Sequence, residues 1–94
     1  MARIKYKARL LRFELQQKEG QNITISEVAE AVGMDRYRLS RIEMGNIKEV
    51  KPEELAAICA FYTERLGRFV DTNEVLGFDP ANNKRALDLA SLAA

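Results

Sequence analysis

Apolar positions along most of this chain fall three and four apart, the spacing of side chains that share one face of a helix. From Ala8 to Glu19, Leu11 and Leu15 stand four apart, with Leu10 and Phe13 widening the stripe, so the pattern predicts a first helix closed by Gly20. A second stripe of Val28, Ala29 and Val32 follows Thr24 and Ser26, either of which can cap a helix by accepting an amide hydrogen on its side-chain oxygen. Ile23 is placed to pack against that helix as a hydrophobic staple. Gly33 can take the positive φ of a sharp turn, and Asp35 caps a third helix over 35–44 with Leu39 and Ile42 facing inward. Pro52 suits the first turn of a fourth helix, and Glu53 and Glu54 sit well at its positive end. Leu55, Ile58, Cys59, Tyr62 and Leu66 carry that helix to about Gly67, and Phe61 adds a further apolar contact. Asp71 or Thr72 would cap a short fifth helix holding Val75 and Leu76, ended by Gly77 and the Phe78-Asp79-Pro80 exit.

The ends read differently. Arg3 to Lys7 alternates cationic and apolar side chains, a period of two that places Ile4 and Tyr6 on one side of an extended segment and Arg3, Lys5 and Lys7 on the other. This predicts a short strand against the body or an arm reaching for phosphate, the alternative being a frayed terminus. The last residues, 81–94, carry Ala86, Leu87, Leu89, Ala90, Leu92 and Ala93 after Lys84 and Arg85. A helix so short is marginal alone in water, so this tail is read as a dimer contact, a further helix packed on the body, or a disordered end. Residues 1–80 are thus expected to form one domain.

Composition narrows the class. At 94 residues, 47% apolar and 31% charged, the chain suits one small core rather than disorder. The net charge of +1 hides an uneven distribution: residues 1–51 hold eleven Lys or Arg against seven Asp or Glu, a balance of +4, and residues 52–94 hold four against seven, a balance of −3. A basic front half suits a face turned toward phosphate, although charges scattered over a solvated surface give the same count. One cysteine, Cys59, excludes an internal disulfide and points to a reducing compartment; with no bilayer-spanning apolar run, a cytoplasmic protein is expected. Histidine is absent, and no metal-ligand cluster, glycine-rich phosphate loop or nucleophile–base set can be assembled, so no enzyme and no cofactor are expected. Glu53 and Glu54 are paired carboxylates, but helix-start electrostatics accounts for them.

Residues 24–45 hold the chemistry. Two short helices joined at Gly33, with small Ala29 and inward Leu39 and Ile42, meet the packing needs of a helix-turn-helix, and Arg36, Tyr37, Ser40 and Arg41 fall on the outward surface of the second. An ordinary helical hairpin with a solvated basic face would show the same spacing. The run Thr24-Ile-Ser-Glu-Val-Ala-Glu-Ala-Val-Gly33, followed by Met34-Asp-Arg-Tyr-Arg-Leu-Ser-Arg-Ile-Glu-Met-Gly45, resembles the lambda-repressor-like (Xre, or Cro/C1-type) helix-turn-helix family of bacterial and phage transcriptional regulators. Leu55 to Tyr62 and Asn73 to Gly77 resemble the family's later helices, and Ser40-Arg41-Ile42-Glu43 with Gly45 is the most specific part.

The resemblance implies an all-α fold, a compact bundle of four or five helices with the third helix in the major groove of double-stranded DNA. It implies base contacts from Arg36, Tyr37, Ser40 and Arg41, and phosphate contacts from Thr24, Arg38, Asn46, Lys48 and Lys51, with Arg3, Lys5 and Lys7 as an N-terminal arm. Glu43 would be structural, holding the next segment, and Ile25 stands where family members often carry a phosphate-contacting glutamine. The expected function is sequence-specific transcription regulation by a homodimer reading two half-sites, for which a repressor acting by operator occupancy needs nothing beyond this domain, while repressor and activator are not separated by the sequence. A second class is a protein-interaction module, such as the antitoxin of a toxin–antitoxin pair, binding its partner through the tail.

Overall fold

The computed structural model describes residues 3–79; the tail 81–94, read from sequence as a dimer contact, a further helix or a disordered end, lies outside the described residues. In chain order the elements are β1 (Arg3–Tyr6), α1 (Ala8–Glu19), α2 (Ile25–Val32), α3 (Arg36–Met44), α4 (Pro52–Leu66), a 3-10 turn (Thr72–Glu74) and β2 (Leu76–Asp79). Four helices thus carry the body, and a two-stranded antiparallel ribbon joins the two ends of the described chain.

Each helix begins and ends where local chemistry lets it. The Glu27 amide donates to Thr24 Oγ1 at 3.1 Å and the Arg38 amide to Asp35 at 3.3 Å, so Thr24, not Ser26, caps α2, and Asp35 caps α3. Gly33 closes α2 at φ 72° and Gly45 closes α3 at φ 73°, a left-handed conformation in which a Cβ would crowd the following carbonyl. Inside, Leu15, Ile23, Val28, Leu39, Ile42, Ile58 and Tyr62 are fully buried. Val70 and Val75, from the segment after α4, are buried with them, and Val32, Leu55 and Leu76 pack partly buried around this core. Leu10 and Phe13, expected to widen the inward stripe of α1, are exposed instead; Ala8, Leu11 and Leu15 form its buried face.

The ribbon replaces the expected fifth helix. Asp71 does cap a turn, accepting from the Thr72 amide at 2.8 Å, but the turn ends at Glu74 and the chain then straightens to pair with β1. The register sets Arg3 opposite Asp79, Ile4 opposite Phe78, Lys5 opposite Gly77 and Tyr6 opposite Leu76, and the Lys7 amide donates to the Val75 carbonyl at 2.7 Å. Directly opposed residues share a face, so Ile4, Tyr6, Leu76 and Phe78 line one side of the ribbon. Lys5 and Lys7 line the other, where the Lys7 stem lies over Gly77, 3.1 Å from where a Cβ would stand.

Candidate nucleic-acid interface

The sequence makes α3 two-sided, and packing fixes which side is out. At about 100° per residue, Arg36, Tyr37, Ser40, Arg41 and Met44 fall within an arc of roughly 140°. Arg36, Tyr37, Arg41 and Met44 are exposed and Ser40 is half-buried, whereas Leu39, Ile42 and Glu43 on the opposite side are buried. The four residues expected to meet bases therefore do share one solvent-facing surface.

Two ion pairs bolt the inner side of α3 to its neighbours. Glu43 is the one buried charged residue among those described, its side chain 2% exposed, and it accepts from Arg12 on α1: Nε at 3.0 Å to Oε2 and Nη2 at 3.0 Å to Oε1. Arg12 Nη1 also donates to the Ile23 carbonyl at 3.0 Å, so one guanidinium joins α1, the entry to α2 and the end of α3. Glu43 is structural, as its position suggests, but it holds the preceding α1 rather than the following segment. The role of Arg12 was not visible in the local pattern, since its partner lies 31 residues away.

On the other flank, Arg38 pairs through Nε and Nη2 with Glu54 on α4 and donates to the Glu49 carbonyl at 3.4 Å. The Arg38 guanidinium beside Glu54, with some opposition from burial and further help from the Lys51 amide, holds the Glu54 carboxyl below its ordinary value. Arg38 is thus directed at α4, away from the outward arc and from the phosphate contact expected of it.

The N-terminal turns of α2 and α3 meet at the open end of this surface. Arg36 Nη1 donates to Ser26 Oγ at 3.4 Å, and its guanidinium lies 4.9 Å from the centroid of the Tyr37 ring. Thr24, Ser26, Arg36, Tyr37 and Ser40 line a shallow groove of about 390 Å3. The Ile25 and Ser26 amides, in the first turn of α2, have no intrahelical acceptor and suit an anion. Thr24 is half-buried and its hydroxyl already accepts the Glu27 amide, leaving the hydroxyl hydrogen to donate.

The loop after α3 is held at several points while its cationic side chains stay exposed. The Asn46 amide donates to the Arg41 carbonyl at 2.9 Å, and Ile47 and Val50 pack against the core. The Tyr6 hydroxyl donates to the Ile47 carbonyl at 3.2 Å, and the Tyr6 ring lies where a Cβ on Gly45 would be 2.9 Å from its Cδ2. Asn46, Lys48 and Lys51 are exposed. The N-terminal segment is a paired strand with Lys5 exposed and Lys7 half-buried; the Arg3 side chain lies outside the described residues.

A family model for the helix-turn-helix matches residues 8–68, from α1 to just beyond α4. No curated protein and no solved structure is similar enough to this chain to match it. Among the described residues no helix is long and apolar enough to cross a membrane. With the match covering well over half the chain, and two short helices joined at Gly33 presenting a cationic outer face, this chain belongs to the Cro/C1-type, Xre-like helix-turn-helix family of DNA-binding regulators.

Proposed function

We propose that this chain is a sequence-specific regulator of transcription that binds its operator as a homodimer, each protomer laying α3 in a major groove. The observation that carries the reading is the outward arc of α3: Arg36, Tyr37 and Arg41 are exposed, whereas Glu43 and Arg38 on the inner side clamp the helix to α1 and α4. A major groove about 12 Å wide admits one helix, and a helix held on its inner side presents its outer side chains without rocking.

In this reading Arg36 and Arg41 supply paired donors to guanine, each good bidentate contact being worth about 1–3 kcal/mol of discrimination, while Tyr37 and Ser40 contact neighbouring base edges or a thymine methyl. Thr24, the free amides of α2, Asn46, Lys48 and Lys51 meet phosphates and set register. Lys5, Lys7 and Arg3 would extend the phosphate contacts from the ribbon. Arg38 is left out of this set, because its guanidinium is taken by Glu54. Repression follows from occupancy alone: a domain sitting on an operator excludes other proteins from it.

The test is selection of bound duplexes from a random library. A palindromic motif with half-sites one helical turn apart, about 34–36 Å, is the expected result. Recovery of no motif, with only weak and strongly salt-sensitive binding, would overturn the reading.

A further inference from the structure

Seven large apolar side chains are exposed among the described residues, and four of them gather in one place. Ile4 (52% exposed), Leu10 (63%) and Met44 (70%) line a groove of about 860 Å3 between β1, the start of α1 and the last turn of α3. Phe78 (57%) stands opposite Ile4 on the same face of the ribbon. That face is partly buried where Tyr6 and Leu76 rest on the body, and it continues past the body as the uncovered Ile4–Phe78 pair. An apolar patch of this kind marks something that covers it, and Lys5, Lys7 and Arg9 border the groove as well.

The chain itself brings a candidate to the edge of the patch. Asp79 is paired with Arg3, so residues 80–94 depart from the end of the ribbon that carries Ile4 and Phe78. Pro80-Ala-Asn-Asn83 is turn-forming chemistry and is long enough to reverse direction. Beyond it, Lys84, Asp88 and Ser91 recur at four and three, while Ala86, Leu89, Ala90 and Ala93 fall on the opposite side of the same helical wheel. Ten helical residues span about 15 Å. That matches the roughly 13 Å of a four-residue strand.

We propose that residues 84–93 form an amphipathic helix laid in this groove of their own chain, with the Ala86, Leu89, Ala90 and Ala93 side covering Ile4, Leu10, Met44 and Phe78. A helix this short is marginal by itself, and the groove supplies the apolar partner it needs. A linker of four residues presents it at an effective concentration on the order of millimolar, well above that of a second copy at micromolar protein. Docked there, the segment covers Met44 at the C-terminal end of α3. The inference does not rest on the DNA-binding reading, and its test uses no DNA.

The test is a cysteine scan in the full chain with Cys59→Ala. Leu10→Cys is combined in turn with cysteines at 86, 89, 90 and 93, and with controls at 84, 88 and 91, then oxidised at low micromolar protein. Bridges within one chain at the first set and not at the controls are expected. Bridges between chains would give the groove to a second copy, and no bridges, or equal bridging at both sets, would show that the segment does not lie there; each overturns the proposal. An independent arm replaces Leu89 with Asp in the otherwise native chain: binding of an environment-sensitive dye should rise as the patch is uncovered, and dye binding equal to that of the native chain would also overturn it.

Discussion

Removing the Glu43 carboxylate is the sharpest perturbation the structure offers. Its side chain is 2% exposed and that of Arg12 13%, and the two meet side-on through Arg12 Nε and Nη2. Glu43→Ala leaves a guanidinium nearly out of water with the Ile23 carbonyl as its remaining acceptor and the Phe13 ring 5.6 Å away. Breaking a buried pair from one side costs about 3–5 kcal/mol. Small domains have roughly 5–15 kcal/mol in total, so the variant should be folded but weakly so. For a chain of this size a 3 kcal/mol loss lowers Tm by roughly 12–24 °C. Thermal and urea unfolding followed by circular dichroism measure this directly. The paired replacement Arg12→Met with Glu43→Leu separates burial of an orphan charge from loss of packing: removing both charges together should recover most of the loss, because an apolar pair of similar volume serves as well as a buried ion pair. A Glu43→Ala loss below about 1 kcal/mol would refute the reasoning by showing the pair solvated enough to be dispensable, and a double variant as unstable as the single one would refute it by showing that lost packing and hydrogen bonds, not an orphan charge, cause the loss.

Three further outcomes follow from the interface and its supports. Arg41→Ala should weaken binding to the selected site more than to random duplex, whereas Lys48→Ala should weaken both alike and lower the salt slope by about one; equal behaviour in a binding titration would undo the division into base and phosphate contacts. Arg38→Ala should lower the urea midpoint at neutral pH, and the difference should fade on acidification. Arg38 depresses the folded-state value of Glu54 below its ordinary 4.5, so the stability it lends is present above that pH and is lost as pH falls through the depressed value; a difference unchanged at low pH would contradict this. Gly45→Ala should cost more than Gly20→Ala, because both residues are left-handed but only the new methyl at 45 strikes the Tyr6 ring, and equal urea midpoints would show that the ring yields freely.

Much of the helical body could be read from local chemistry. Thr24, Gly33, Asp35 and Gly45 mark helix ends through side-chain oxygens and permissive backbone, properties that act over three or four residues and so survive without knowledge of the fold. The outward placement of Arg36, Tyr37 and Arg41 followed from the same spacing that sends Leu39 and Ile42 inward. What escaped was long-range. Val75 and Leu76 suit a short helix as well as a strand, and only a partner some seventy positions earlier, β1, decides between them. Arg38 is an outward cation by sequence alone, and Glu54, on another helix, turns it aside. Leu10 and Phe13 fall roughly 130° and 170° round α1 from the buried Ala8–Leu11–Leu15 face, so helical rotation turns them outward despite their being apolar.

The clamps on α3 have a bearing on how such a domain can change over time. Because Arg12–Glu43, Arg38–Glu54 and the buried Leu39 and Ile42 hold the helix without help from Arg36, Tyr37 or Arg41, those three positions are free to vary with little penalty to folding. With α3 reading bases as proposed, substitutions there would retarget the protein to another operator while the scaffold persists. Divergence of binding preference between descendants of one gene can then proceed by single steps, each leaving a stable intermediate.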